Sequence, residues 1–89
     1  MPTVTFTQNI QRHVACPAMR VEGITVRAAL DAYFTAHPAA RGYVLDEQGA
    51  VRHHVAVFVD GEMIRDRRTL DVALAPDSEI YVMQALSGG

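Results

Sequence analysis

Few side chains in this 89-residue sequence are spaced for chemistry of their own. His53 and His54 are adjacent, so on a strand they point to opposite faces and do not chelate one metal together. His13 and Cys16 stand three apart and meet only in a turn, and two ligands do not make a structural zinc site. Cys16 lies in a loop flanked by Pro17, with Arg12 and Arg20 as its nearest cations in sequence, which suits a passive thiol better than an activated one. Asp46-Glu47 and Glu62 with Asp66 read as turn and surface carboxylates. No nucleophile, base and orienting group share a spacing that would build a catalytic centre, so neither an intrinsic enzyme nor a metal site is expected. Arg65, Arg67 and Arg68 form a small basic cluster whose default reading is a solvated face. What remains is the end of the chain, "QALSGG", with Gly88 and Gly89 last. Glycine loses more backbone freedom on ordering than any other residue, so it does little for a terminal strand. At ordinary usage a Gly-Gly end arises by chance in about one chain in 200, so a frayed end is one reading and a functional terminus the other.

Composition narrows the choice. Apolar residues make up 49% and charged residues 20%, the balance of a globular chain rather than a disordered one. The length suits one domain. No run approaches the length of a membrane span, and "MPTVTFTQ" lacks the basic and apolar regions of a signal peptide, so a cytoplasmic protein is expected, with no membrane partner. A single cysteine excludes an internal disulfide framework. Eight basic residues face ten acidic ones for a net charge of −2, which leaves no basic stripe for a nucleic acid backbone. All eight basic residues are arginines. Without lysine, no side chain of the protein can receive an isopeptide bond.

These features need a scaffold, and hydrophobic periodicity outlines one. "TVTF" (3–6) alternates, with Val4 and Phe6 inward. "QNIQRHVACP" reads as a turn region, and "AMRVEG" as a second strand with Met19 and Val21 on one face and Gly23 at its end. Thr25 is a good N-cap for a helix in which Val26, Ala29, Leu30, Tyr33 and Phe34 form one apolar stripe and Asp31 and Thr35 face water. His37-Pro38 closes it. "YVLD" and "AVRH" read as strands around Glu47-Gln48-Gly49. "HVAVFVDGEMI" is the strongest strand, with Asp60-Gly61 as a hairpin turn. "RDRRTLDVALAPDS" is a polar connection pinned by Leu70 and Leu74, and "EIYVMQ" closes the sheet. The order is two strands, a helix, then further strands around a mixed sheet: an α+β domain over 1–84, with a flexible tail over 85–89.

A single helix covers one face of such a sheet. If Val55, Val57, Val59, Ile80 and Val82 pack beneath it, parity turns Phe58, Tyr81 and Met83 outward. Two aromatics and a methionine on a solvent face read either as a docking patch, since these side chains are enriched in interface cores, or as residues that a slipped register or a covering loop hides.

The segments "VEGITVRAAL" (21–30), "VFVDGEMIR" (57–65) and "SEIYVMQALSGG" (78–89) resemble the small sulfur carriers of the ubiquitin-like β-grasp fold, the MoaD/ThiS family, over essentially the whole chain. The specific motif is Gly88-Gly89 after a strand. Phe58 falls where ubiquitin has the central residue of its hydrophobic patch, and Tyr81 and Met83 fall beside it on the last strand; Leu86 extends the patch into the tail. The resemblance implies a carrier with no intrinsic cofactor. A ThiF/MoeB-like activating enzyme, using ATP and Mg²⁺, adenylates the Gly89 carboxylate, and sulfur then displaces the nucleotide to leave a thiocarboxylate. A sulfur-accepting biosynthetic enzyme of molybdopterin, thiamine or amino-acid type consumes it. Gly88 and Gly89 suit that role because a narrow channel has no room for Cβ and glycine reaches φ/ψ closed to other residues. Adenylation supplies the leaving group a carboxylate lacks.

Two departures refine the resemblance. Ala85, Leu86 and Ser87 stand where ubiquitin has arginines, which argues against a ubiquitin-type activating enzyme, and "ALSGG" differs from the "PPVAGG"-like end of molybdopterin carriers. The segment "YVLDEQGAVRHH" is longer than a thiamine-type carrier needs, which favours a molybdopterin-like or amino-acid-biosynthetic carrier. The alternatives are a protein modifier that forms amides with lysines on targets, and a plain β-grasp binding module with an incidental tail.

Overall fold

The computed structural model describes residues 1–84. Five strands form one mixed sheet in the order β2-β1-β5-β3-β4. They are β1 (Thr3–Phe6), β2 (Met19–Arg20), β3 (Val55–Val59), β4 (Glu62–Met63) and β5 (Glu79–Gln84). The first and last strands run parallel at the centre, Val4 beside Ile80 and Phe6 beside Val82. Every other neighbour pairs antiparallel. This is the α+β, ubiquitin-like β-grasp architecture expected from the sequence, and the domain's inner face carries the expected residues. Val4, Phe6, Val55, Val57, Ile80 and Val82 are buried, with Val59 half-buried.

Helix α2 (Val26–Ala36) packs on that face through Val26, Ala29, Leu30, Tyr33 and Phe34, the predicted stripe. Its start is fully partnered. The Thr25 hydroxyl accepts from the Ala28 amide at 3.1 Å, and the amides of Val26 and Arg27 donate to the carbonyls of Val72 and Leu70. Free amides of a first turn otherwise go unsatisfied. The Tyr33 ring meets Phe6 of β1 at 5.0 Å between centroids, and its hydroxyl donates to the Pro17 carbonyl at 2.6 Å. Each such core side chain contributes about 1.5–3 kcal/mol through burial. Gly23 leads into the helix with no room to spare, since a Cβ there would lie 2.6 Å from the Ala29 nitrogen.

Three local expectations need correction. The segment read as a turn after β1 contains a single helical turn, α1 (Gln8–Gln11), which buries Ile10. "YVLD" is not a strand: Tyr43 and Val44 complete α3 (Pro38–Val44), whose buried residues are Ala40 and Val44. "AVRH" contributes only one bridge, Val51 to Leu45. Pro38 does end α2, because the residue before a proline avoids the helical region and His37 sits at φ −133°, ψ 71°. The same proline then opens α3 at its first position, where a missing N–H costs nothing. The turn between α3 and Val51 is as expected, with Gly49 at φ +83° and the Asp46 carboxylate accepting from Gln48 and Ala50 amides.

Candidate docking face and terminal strand

The side of the sheet away from α2 carries the predicted patch, and backbone register assembles it. Tyr81 of β5 stands between Thr5 of β1 and Phe58 of β3. Phe58 in turn faces Met63 of β4. A single row, Thr5, Tyr81, Phe58, Met63, therefore crosses four strands. Side chains directly opposite one another come within about 5 Å at Cβ, close enough to act as one surface. Tyr81 is 41% and Met63 58% exposed, while Phe58 is half-buried by its neighbours. Met83 lies two residues along β5, half-buried and opposite Ala56. Ala56 shares Phe58's outward parity, yet only 5% of it is exposed, a small side chain sunk between larger ones.

Sequence parity thus located Phe58, Tyr81 and Met83, and it missed Met63. The signal was present in the hairpin. A two-residue loop at Asp60-Gly61 pairs 59 with 62 and 58 with 63, so Met63 follows from Phe58. The loop has the primed geometry, with φ +50° at Asp60 and +88° at Gly61, which matches the right-handed twist of the strands it joins. Asp60 also ties this hairpin to β5. One carboxylate oxygen accepts from the Glu79 amide and the other from the Ser78 hydroxyl, both at 2.9 Å. The aromatic pair is thereby held at the hairpin end of the ladder.

At the other end of the sheet β3 begins opposite Gln84, the last described residue, with Val55 as its partner. Arg67 secures that start by donating to the carbonyls of Arg52 and Val55 at 2.6 and 2.7 Å. It is therefore an anchor rather than part of a free basic face, while Arg65 and Arg68 remain exposed. Arg27 plays a similar part from α2, donating to the carbonyls of Gly49 and Arg68 at 2.7 and 3.0 Å. The expected site residues Leu86, Gly88 and Gly89, and the tail over 85–89, lie outside the described residues.

The reactive side chains weighed in the sequence fall elsewhere. Cys16 is buried, and burial pushes its thiol up, away from the nucleophilic thiolate. His13 does not approach it as a ligand pair; its ring stacks on Tyr43 at 5.7 Å, and His54 meets the same ring edge-on at 5.5 Å. Among the described residues no three His, Cys, Asp or Glu side chains converge as metal ligands. Nor is any helix among them long and apolar enough to cross a membrane.

Similarity to known proteins follows the same lines. No curated protein sequence matches significantly. The crystal structure of small archaeal modifier protein 1 from Haloferax volcanii is similar at 29% identity and a TM-score of 0.76, covering 99% of this chain and 98% of that one. CysO in the Amycolatopsis orientalis BexX/CysO complex superposes with a TM-score of 0.82 at 19% identity over the full length of both chains. CysO of Mycobacterium tuberculosis gives 0.81 at 18% identity, covering 97% of this chain and all of that one. At those two identities the likeness concerns the fold. The sequence profile of the ThiS family matches residues 16–89, from the loop before β2 to the last glycine. On that match, the chain belongs to the ThiS family.

Proposed function

We propose that this protein is a cytoplasmic sulfur carrier whose reactive group is the Gly89 carboxylate. A ThiF/MoeB-like activating enzyme binds the outer face of the sheet and takes the terminus into its active site. A carboxylate oxygen attacks the α-phosphorus of ATP, with Mg²⁺ held by the enzyme, and pyrophosphate leaves. Sulfur delivered by the partner then attacks the acyl carbon, AMP departs, and a thiocarboxylate remains for a sulfur-accepting biosynthetic enzyme. This chain supplies the substrate group and the surface by which it is recognised; the catalytic groups belong to its partners.

The observation that carries the reading is the row Tyr81, Phe58, Met63 across the outer face of β5, β3 and β4, beside the strand whose sequence runs on to Gly88-Gly89, in a chain of the ThiS family. An aromatic and methionine face that the described residues leave uncovered is what a docking surface requires. CysO, found in complex with BexX, offers a precedent for one such fold assembling with a second protein. The test is the intact mass of the protein isolated from its host, and of purified protein treated with the activating enzyme, ATP, Mg²⁺ and sulfide as the sulfur source. A gain equal to the difference between sulfur and oxygen, lost on deletion of Gly89, is the expected result. An unmodified terminus whose deletion leaves the host unaffected would overturn the reading in favour of a binding module.

A second reading has its own support. Small archaeal modifier protein 1 is similar at 27–29% identity, so the same activated terminus serves equally well to form amides with lysines on target proteins. Adducts on other proteins, found in the same mass measurement, distinguish it. The absence of lysine from this chain fits both, because the protein is then a donor and never an acceptor on its own side chains.

A further inference from the structure

The outer face changes character beyond the aromatic pair. An open groove of about 400 Å³ is lined by the rings of Phe58 and Tyr81 together with Asp60, Gly61 and Glu79. The Asp60 carboxylate is fixed in place by the Ser78 hydroxyl and the Glu79 amide, yet both of those donors are neutral and leave its charge intact. The Glu79 side chain is exposed. Neither carboxylate has an ion-pair partner among the described residues, where the one ion pair joins the Met1 amino group to Asp77 at 3.9 Å. Arg65 lines the neighbouring cavity with Asp60 without forming an ion pair with it, and Arg20 stands opposite Thr3, with β1 between it and Glu79.

Resting on the docking role proposed above, we infer that this groove seats an arginine side chain of the activating enzyme. Its occupant must cover two aromatic rings and meet two carboxylates at once. An apolar side chain would strip water from both charges and return nothing. An acidic one would be repelled. Lysine brings charge as a compact, strongly hydrated ammonium that does not stack. A guanidinium is flat, weakly hydrated and always charged, so it lies against the rings of Phe58 and Tyr81 while its N–H groups donate to Asp60 and Glu79. The groove thus adds selectivity to an apolar patch that by itself would accept many surfaces.

The test is the dissociation constant of the full chain for the ThiF/MoeB-like activating enzyme of its host, at low and high salt. Glu79 is the residue to change, because its side chain is exposed and makes no hydrogen bond that the fold uses. Glu79→Gln should weaken binding about tenfold and Glu79→Lys about a hundredfold, with a flatter salt dependence in each. Modification of the enzyme's arginines with phenylglyoxal should abolish binding, and wild-type carrier, but not Glu79→Lys, should protect one arginine from it. If wild type binds, Phe58→Asp does not, and Glu79→Lys binds as tightly as wild type, the arginine seat is overturned while the docking face stands. If Phe58→Asp binds like wild type, the docking face itself is overturned. Loss of binding on lysine acetylation, with arginine modification harmless, would also overturn the assignment.

Discussion

Phe58 of β3 stands directly opposite Tyr81 of β5 on the face of the sheet that α2 leaves uncovered. The pair occupies the middle of the sheet, one strand in from the β4 edge. Because Phe58 is half-buried and not part of the core beneath the helix, its substitution separates recognition from folding. Phe58→Asp should lower adenylation of the terminus by the activating enzyme more than a hundredfold, the loss of a central interface anchor, and shift the melting temperature by only a few degrees. Collapse of the fold would place Phe58 in the core and refute the docking face.

Gly23 sits where the loop after β2 touches the second turn of α2. A methyl group there would press on the Ala29 backbone nitrogen at 2.6 Å, and backbone inside a helix does not move aside cheaply. Gly23→Ala should therefore cost about 1–3 kcal/mol of stability, read by chemical denaturation. A neutral result would mean that the loop shifts freely.

Burial in the core, with Cys16 beside it, pushes the Tyr33 phenol up to about 12 from its ordinary 10.0. On raising the pH the unfolded chain releases this proton first. The stability linked to Tyr33 is therefore fully present below the ordinary phenol value and is lost as the pH climbs through about 12. An absorbance titration should show a late phenolate step that Tyr33→Phe removes. Ionisation of Tyr33 at the ordinary value in the folded protein would contradict its burial.

Arg67 offers a prediction about the start of β3. Its guanidinium donates to two carbonyls there, and Arg67→Met keeps much of the stem while removing both bonds. Leaving two part-buried carbonyls without these donors should cost about 1–3 kcal/mol, and hydrogen exchange should rise first at Val55 and its partner Gln84. Unchanged exchange would show that the ladder holds without the clamp.

Much of this molecule is written in periodicity. The stripe Val26, Ala29, Leu30, Tyr33, Phe34 and the alternation in 55–59 and 79–84 each specify a face, and both faces are where parity puts them. The Asp60-Gly61 turn fixes its hairpin because its backbone demands those residue types. The strand expected at 43–46 gives way to helix for an equally physical reason. "YVLD" has strand-like composition, but Pro38, Ala39, Ala40 and Arg41 start a helix ahead of it, and Val44 is buried from that helix one turn after Ala40. A proline that ends one helix and begins the next looks, in sequence, like a stop alone. Helix α1 was hidden differently, being one turn long with a single buried residue, Ile10. Within the candidate site, Phe58, Tyr81 and Met83 were visible by parity, whereas Met63 needed the hairpin register.

The central position of β5 bears on mechanical load. Any force drawing the chain end outward acts along a strand flanked by β1 on one side and β3 on the other, so it must shear two ladders together rather than unzip one edge. A partner can therefore tug at this handle while the body behind it keeps its shape.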